Sequence, residues 1–126
     1  MELYSVVETP KTPGIIFNPY TGVLEMKGRS IPENTTEFYR PLIEAIDKYA
    51  TTFQPKTTVN IHMEYFNTSS SKSMLNIFKK LEVISKSGSM VTVNWFYEEN
   101  DDDMLEAGED FQVAVSLPFK MVQITE

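Results

Sequence analysis

"TTVNIHMEYFNTSSSKSMLNIF", residues Thr57–Phe78, changes its period halfway along, and that change decides the fold. In the first half Val59, Ile61, Met63 and Tyr65 point one way, and Asn60, His62 and Glu64 the other. This is the two-residue period of a strand with one buried face. In the second half and just beyond it Met74, Phe78, Leu81 and Ile84 come round to one side, as on a helix. Between the halves stand one amide and four hydroxyls: Asn67, Thr68, Ser69, Ser70 and Ser71. A strand feeding directly into a helix requires a crossover, which points to an α/β architecture.

The flanking segments extend the same pattern. "GIIF" (14–17) and "VLEMK" (23–27) read as a hairpin around "NPYTG", where Gly22 can take positive φ. "GRSIPENTTEFYRPLIEAIDKYA" (28–50) carries Phe38, Leu42, Ile46 and Tyr49 on one helical face. Its start is open between two capping-box pairs, Ser30 with Glu33 and Asn34 with Glu37. Pro41 inside it predicts a kink, or a short turn before a second segment. "MVTVNWFYEE" (90–99) alternates again, with Val91, Val93, Trp95 and Tyr97 inward. Gly88 stands near the end of the preceding helix, as a C-terminal cap would. A short helix is expected around Asp102 to Ala107, and "FQVAVSLPFKMVQI" (111–124) reads as a last strand or an irregular apolar tail. The expectation is a small two-layer α/β domain spanning residues 1–126. Its mixed β-sheet would have helices packed mainly on one face and a more polar face opposite.

Composition narrows the class of function. With 126 residues and 41% hydrophobic content the chain can bury a core. It has no stretch of eighteen apolar residues, so no membrane span is expected. "MELYSVVETPK" lacks the basic start and apolar centre of a secretory signal. The absence of cysteine excludes disulfides, thiolate metal sites and thiol catalysis, and fits the cytoplasm. Residues 98–110 hold eight of the eighteen acids and no base, leaving ten acids against eleven bases elsewhere. The net charge of −7 is therefore local, and no basic stripe invites nucleic acid or an anionic membrane.

The hydroxyl run falls where a first helical turn offers free amides and the positive end of the dipole. Such a terminus favours an anion, either bound or covalently attached to Thr68 or a neighbouring serine. Lys72, four residues on, lies on the same side. Around Thr68 the candidate interface is Asn67, Ser69, Ser70, Ser71 and Lys72, bordered by Tyr65 and Arg29. Arg29 would either pair with Glu33 or help hold the anion. The plainer reading makes Asn67, Thr68 or Ser69 an ordinary N-cap. One cap needs one side chain, however, and five are present.

Other chemistry is weakly supported. Counted from Asn100, the sixth position of a calcium loop would be Leu105 rather than glycine, so that motif fails. Two of Asp101, Asp102 and Asp103 could hold magnesium, but acids at a helix start already complement its dipole. His62, the lone histidine, falls on the polar side of a strand with no nucleophile beside it. With no glycine-rich phosphate loop either, neither catalysis nor a cofactor is expected.

Four stretches, "TPKTPGIIF", "LEMKGRSIPENTTEFYRPL", "YFNTSSSKSMLNIF" and "VNWFYEENDDDMLEAGEDF", occur in an order that resembles the SiaC family of bacterial regulatory phosphoproteins. The resemblance covers almost the whole chain; Asn100 departs from the family's mostly acidic run. It implies a fold like that of the anti-sigma-factor-antagonist (STAS) domains, and partner switching. A histidine-kinase-like protein kinase would phosphorylate Thr68, and a PP2C-type phosphatase would reverse this. The unmodified form would bind and activate a GGDEF-type diguanylate cyclase, raising cyclic di-GMP and promoting aggregation or biofilm formation. Two alternatives stand beside it: an antagonist of an anti-sigma factor or kinase without any cyclic di-GMP link, and a small metal-dependent enzyme using Asp101–Asp103.

Overall fold

The computed structural model describes residues 2–125. Its elements are β1 (Tyr4–Val6), β2 (Gly14–Asn18), β3 (Val23–Ser30), α1 (Thr35–Tyr49), β4 (Lys56–Phe66), α2 (Thr68–Lys86), β5 (Met90–Glu98), α3 (Asp102–Ala114) and β6 (Phe119–Ile124). The six strands lie side by side in chain order. β1, β2 and β3 pair antiparallel, whereas β3 to β6 are parallel. Each parallel step is bridged by a helix, and successive crossovers of one hand in one direction stack their helices on one face.

The hairpin forms as the sequence predicts. Gly22 takes φ 72°, and its N–H donates to the Asn18 carbonyl at 2.9 Å. A Cβ there would lie 2.5 Å from the Lys56 carbonyl oxygen, so the turn needs glycine twice over. Leu24, Met26, Val59, Ile61, Met63, Val91, Val93 and Trp95 are buried beneath Leu42 and Ile46 of α1 and Met74, Ile77, Phe78 and Leu81 of α2. Glu25 and Lys27 are exposed on the other face. That face carries a broad depression of about 660 Å³ whose lining includes Ile16, Asn60, His62 and Phe96. His62 there approaches the Glu98 carboxylate at 3.4 Å, and Asn94 donates to Asn60 across the strands at 2.9 Å.

α1 resolves the ambiguous start in favour of Asn34, whose Oδ1 accepts the Glu37 amide at 3.1 Å. The box is half-made, because the Glu37 carboxylate turns to Arg40 instead. The helix runs without interruption through Pro41 to Tyr49, so no short turn divides it. α2 closes on Gly88 at φ 127°, with Ser89 N–H reaching back to the Ile84 carbonyl and Gly88 N–H to that of Ser85. This is the Schellman arrangement.

Elsewhere the structure corrects the pattern reading. Tyr65 does not continue the inward row. Gly28 pairs with Met63 but Arg29 pairs with Tyr65, so Glu64 is an extra residue, a bulge that reverses the alternation. Phe66 consequently turns inward against Trp95 and Phe111, and Tyr65 is 48% exposed. The helix expected around Asp102 to Ala107 extends to Ala114. Of the segment 111–124, Phe111–Ala114 belongs to α3 and only Phe119–Ile124 is a strand, while a short N-terminal strand, β1, joins the far edge.

Candidate functional site

The carboxyl ends of parallel strands gather helix starts at one edge of the sheet, the usual place for recognition in an open α/β sheet. Here β3 ends at Ser30 and β4 at Phe66, so the first turns of α1 and α2 sit beside each other. The Asn67 N–H donates to the Ser30 carbonyl at 3.1 Å, and Ser69 Oγ meets Thr35 Oγ1 of α1 at 2.8 Å.

The hydroxyl run now divides into separate tasks. Asn67 is the N-cap: its Oδ1 accepts the Ser70 amide at 2.9 Å, and also the Ser69 hydroxyl at 3.1 Å. Ser70 is fully buried, with Oγ 2.7 Å from Ser30 Oγ and donating to the Ser30 carbonyl at 2.9 Å. Ser71 is half-buried in a groove of about 280 Å³ between α2 and α3, lined also by Phe66, Lys72, Leu75, Asp110 and Phe111. Thr68 remains. It is the first residue of α2, exposed, and its hydroxyl has no hydrogen-bond partner among the described residues.

The backbone around Thr68 has spare donors. The Ser70 amide goes to Asn67 Oδ1 and the Ser71 amide to the Asn67 carbonyl, whereas those of Thr68 and Ser69 have no acceptor among the described residues. α1 begins with Glu37 in its first turn and α3 with Asp102 and Asp103; α2 has no acid there. A group carrying negative charge meets an uncompensated dipole end.

Lys72 and Arg29 stand differently from each other. Lys72 is exposed one helical turn beyond Thr68, facing the groove toward α3. Arg29 lies over the Tyr65 ring, 5.6 Å from its centroid, on the open face of the sheet rather than against Glu33. Pattern reasoning missed Ser30 and Tyr39. Their hydroxyls are 2.6 Å apart, both fully buried, and join Ser70 in one chain. The signal was available, since a buried Tyr seeks a partner for its O–H, but nothing local shows which.

Burial pushes the Tyr39 phenol up to about 12, against a partial lowering by its hydrogen bonds. The folded protein thus keeps a proton that the unfolded chain releases near pH 10, so stability is full below that value. It should fall as pH rises from 10 toward 12, by at most about 3 kcal/mol. Tyr4, also raised by burial, adds to the same slope. Urea midpoints between pH 8 and 12 test this: Tyr39→Phe should be less stable at pH 8 yet lose less on going to pH 12.

The acidic segment is the start of α3. Asp101 caps it, accepting the Met104 amide at 3.0 Å, with Asp102 and Asp103 exposed in the first turn. Among the described residues no three His, Cys, Asp or Glu side chains gather as a metal site requires. None of the described helices is long and apolar enough to cross a membrane.

Known proteins are similar to this chain in both fold and sequence. An uncharacterised protein of Pseudomonas aeruginosa strain UCBPP-PA14 is 32% identical over 111 residues, 88% of each chain. Among solved structures, SiaC of P. aeruginosa superposes with a TM-score of 0.90 at 29% identity, covering 98% of this chain and 100% of that one. Apo-SiaC gives 0.88 at 30% identity, over 97% and 99%. SiaC in complex with the diguanylate cyclase SiaD, whose activator it is, gives 0.90 at 29%, over 96% and 99%. The model of the SiaC family regulatory phosphoprotein matches residues 6–124, and this chain belongs to that family.

Proposed function

We propose that the chain is a cytoplasmic signalling switch, acting as one domain over residues 1–126, that is phosphorylated reversibly on Thr68. The SiaC family is regulatory, and the chain is a regulator rather than an enzyme. In the unmodified state it binds and activates a GGDEF-type diguanylate cyclase. A dedicated protein kinase and a PP2C-type phosphatase set the fraction available, and so the level of cyclic di-GMP. The observation that carries the reading is the division of labour among the hydroxyls. Asn67, Ser69 and Ser70 are engaged in capping and packing, whereas Thr68 is exposed at the helix start and its hydroxyl has no partner among the described residues.

The modified residue gains a charge of roughly −1.5 to −2 and three acceptor oxygens. The amides of Thr68 and Ser69 receive them, and Lys72 adds a cation within reach of its flexible stem. Tyr65, Arg29 and Lys72 extend the partner surface to either side of Thr68. Peptide mapping of protein isolated with and without phosphatase treatment should place the phosphate on Thr68 alone. Unmodified protein should raise the rate of cyclic di-GMP synthesis by a purified cyclase, and the phosphorylated form should not. A phosphate found only on the serines, with Thr68 bare, would overturn the assignment; capture of an anti-sigma factor in place of the cyclase would redirect the output.

A further inference from the structure

Ser70 is the least accessible hydroxyl of the run, and both of its Oγ hydrogen bonds go to Ser30 at the end of β3. Its proton lies on the Ser30 carbonyl at 2.9 Å, so in the 2.7 Å contact with Ser30 Oγ it is Ser30 that donates. The Ser30 proton is then committed, and the 2.6 Å contact with Tyr39 is donated by the phenol. The chain runs one way, Tyr39 to Ser30 to Ser70 to the Ser30 carbonyl, with every hydroxyl used. That same carbonyl accepts the Asn67 N–H at 3.1 Å. Two groups of α2, three residues apart, are held by one oxygen at the end of β3, and Thr68 and Ser69 lie between them.

We propose that Ser70 is a positioning residue for Thr68: through Ser30 and Tyr39 it fixes the first turn of α2 against β3 and α1, and so sets the orientation in which Thr68 is offered to a kinase or a binding partner. This rests on the reading of Thr68 as the modified residue. A loosened first turn would leave Thr68 exposed but unfixed, and a misplaced acceptor slows group transfer even when it remains accessible.

The molecule supplies its own control. At the other end of α1, Tyr49 Oη is 2.7 Å from Thr57 Oγ1, which is 2.6 Å from Ser89 Oγ, which donates to the Gln54 carbonyl at 2.7 Å. This second chain is also built from buried hydroxyls, with the Gln54 amide an added donor to Tyr49 Oη, and it lies at the opposite ends of α1 and α2 from Thr68. Ser70→Ala and Ser89→Ala should therefore cost similar stability and differ in effect.

The test compares the two variants by amide hydrogen exchange and by the rate at which the partner kinase phosphorylates Thr68. Ser70→Ala should speed exchange of the Ser70 and Ser71 amides and slow phosphorylation, each about tenfold, while Ser89→Ala changes neither by more than about twofold. Wild-type values for Ser70→Ala, or equal changes in both variants, would overturn the proposal. If Ser70→Ala does not fold, Tyr39→Phe against Tyr49→Phe makes the same comparison with all serines retained. A wild-type protein that takes no phosphate on Thr68 would defeat the switch, and the exchange comparison would still decide whether Ser70 fixes the turn.

Discussion

Phosphorylating Thr68 should weaken cyclase binding by about a hundredfold or more, some 2.7 kcal/mol, while moving the melting midpoint by only a few degrees. The two halves of this expectation have separate causes. The Thr68 hydroxyl has no hydrogen-bond partner among the described residues and the residue is exposed, so a phosphate there displaces no side-chain contact of that kind. It meets a first turn without acid and two amides with no acceptor among the described residues, which welcome negative charge. In an interface the balance reverses: a surface shaped for a neutral hydroxyl must desolvate a dianion, at a cost of several kcal/mol. Thr68→Ala should bind within about threefold of wild type, since only one neutral hydroxyl is lost and no charge is left unpaired. Thr68→Glu, with one charge and poorer geometry, should lose roughly tenfold. Calorimetric titration of the four forms against one purified cyclase measures the series. Equal affinities for the phosphorylated and unmodified proteins would end the argument, and a fall of ten degrees or more would mean the hydroxyl supports the core.

Much of this architecture was legible because burial on one face imposes a period. The alternation through Val59, Ile61 and Met63 and through Val91, Val93 and Trp95 is written in the residues, as are the helical faces of α1 and α2. What failed, failed where one residue changes the phase. Glu64 is unremarkable in sequence, yet as the bulged residue it sends Tyr65 out to Arg29 and Phe66 in to Trp95. The last strand was ambiguous because β6 pairs on one side only and half its residues are partly exposed. The hydroxyl run shows the same boundary from the functional side. Its position at a helix start follows from local pattern, but which hydroxyl is spare depends on Ser30 and Tyr39, distant in sequence and joined only by the fold.

α3 runs past Ala107, its expected end, through Gly108, a residue of poor helix propensity. In the fold Gly108 is where the helix backbone rests on the indole of Trp95. A Cβ there would lie 2.5 Å from Trp95 Cδ1, 2.6 Å from Nε1 and 2.8 Å from Cγ. Trp95 has nowhere to retreat. It is fully buried, its Nε1–H donates to the Met104 carbonyl at 2.9 Å, and Phe66, Phe111 and Phe119 pack around it. Gly108→Val should therefore destabilise by about 3 kcal/mol or more, combining overpacking with strain or loss of the indole hydrogen bond. Against a typical total of roughly 5–15 kcal/mol that is a large share. Gly108→Ala gains about 1 kcal/mol of helix propensity yet still forces the ring and helix apart, so it too should be net destabilising, by about 1–2 kcal/mol. Because Trp95 is the sole tryptophan, urea unfolding followed by its fluorescence reports from the contact itself. Displacing α3 also moves Ala107 and Phe111, walls of the groove beside Lys72 and Ser71, so cyclase binding should weaken in the folded fraction of either variant. A Gly108→Ala protein more stable than wild type, as an exposed helical glycine would give, would show that the indole does not limit how closely α3 packs.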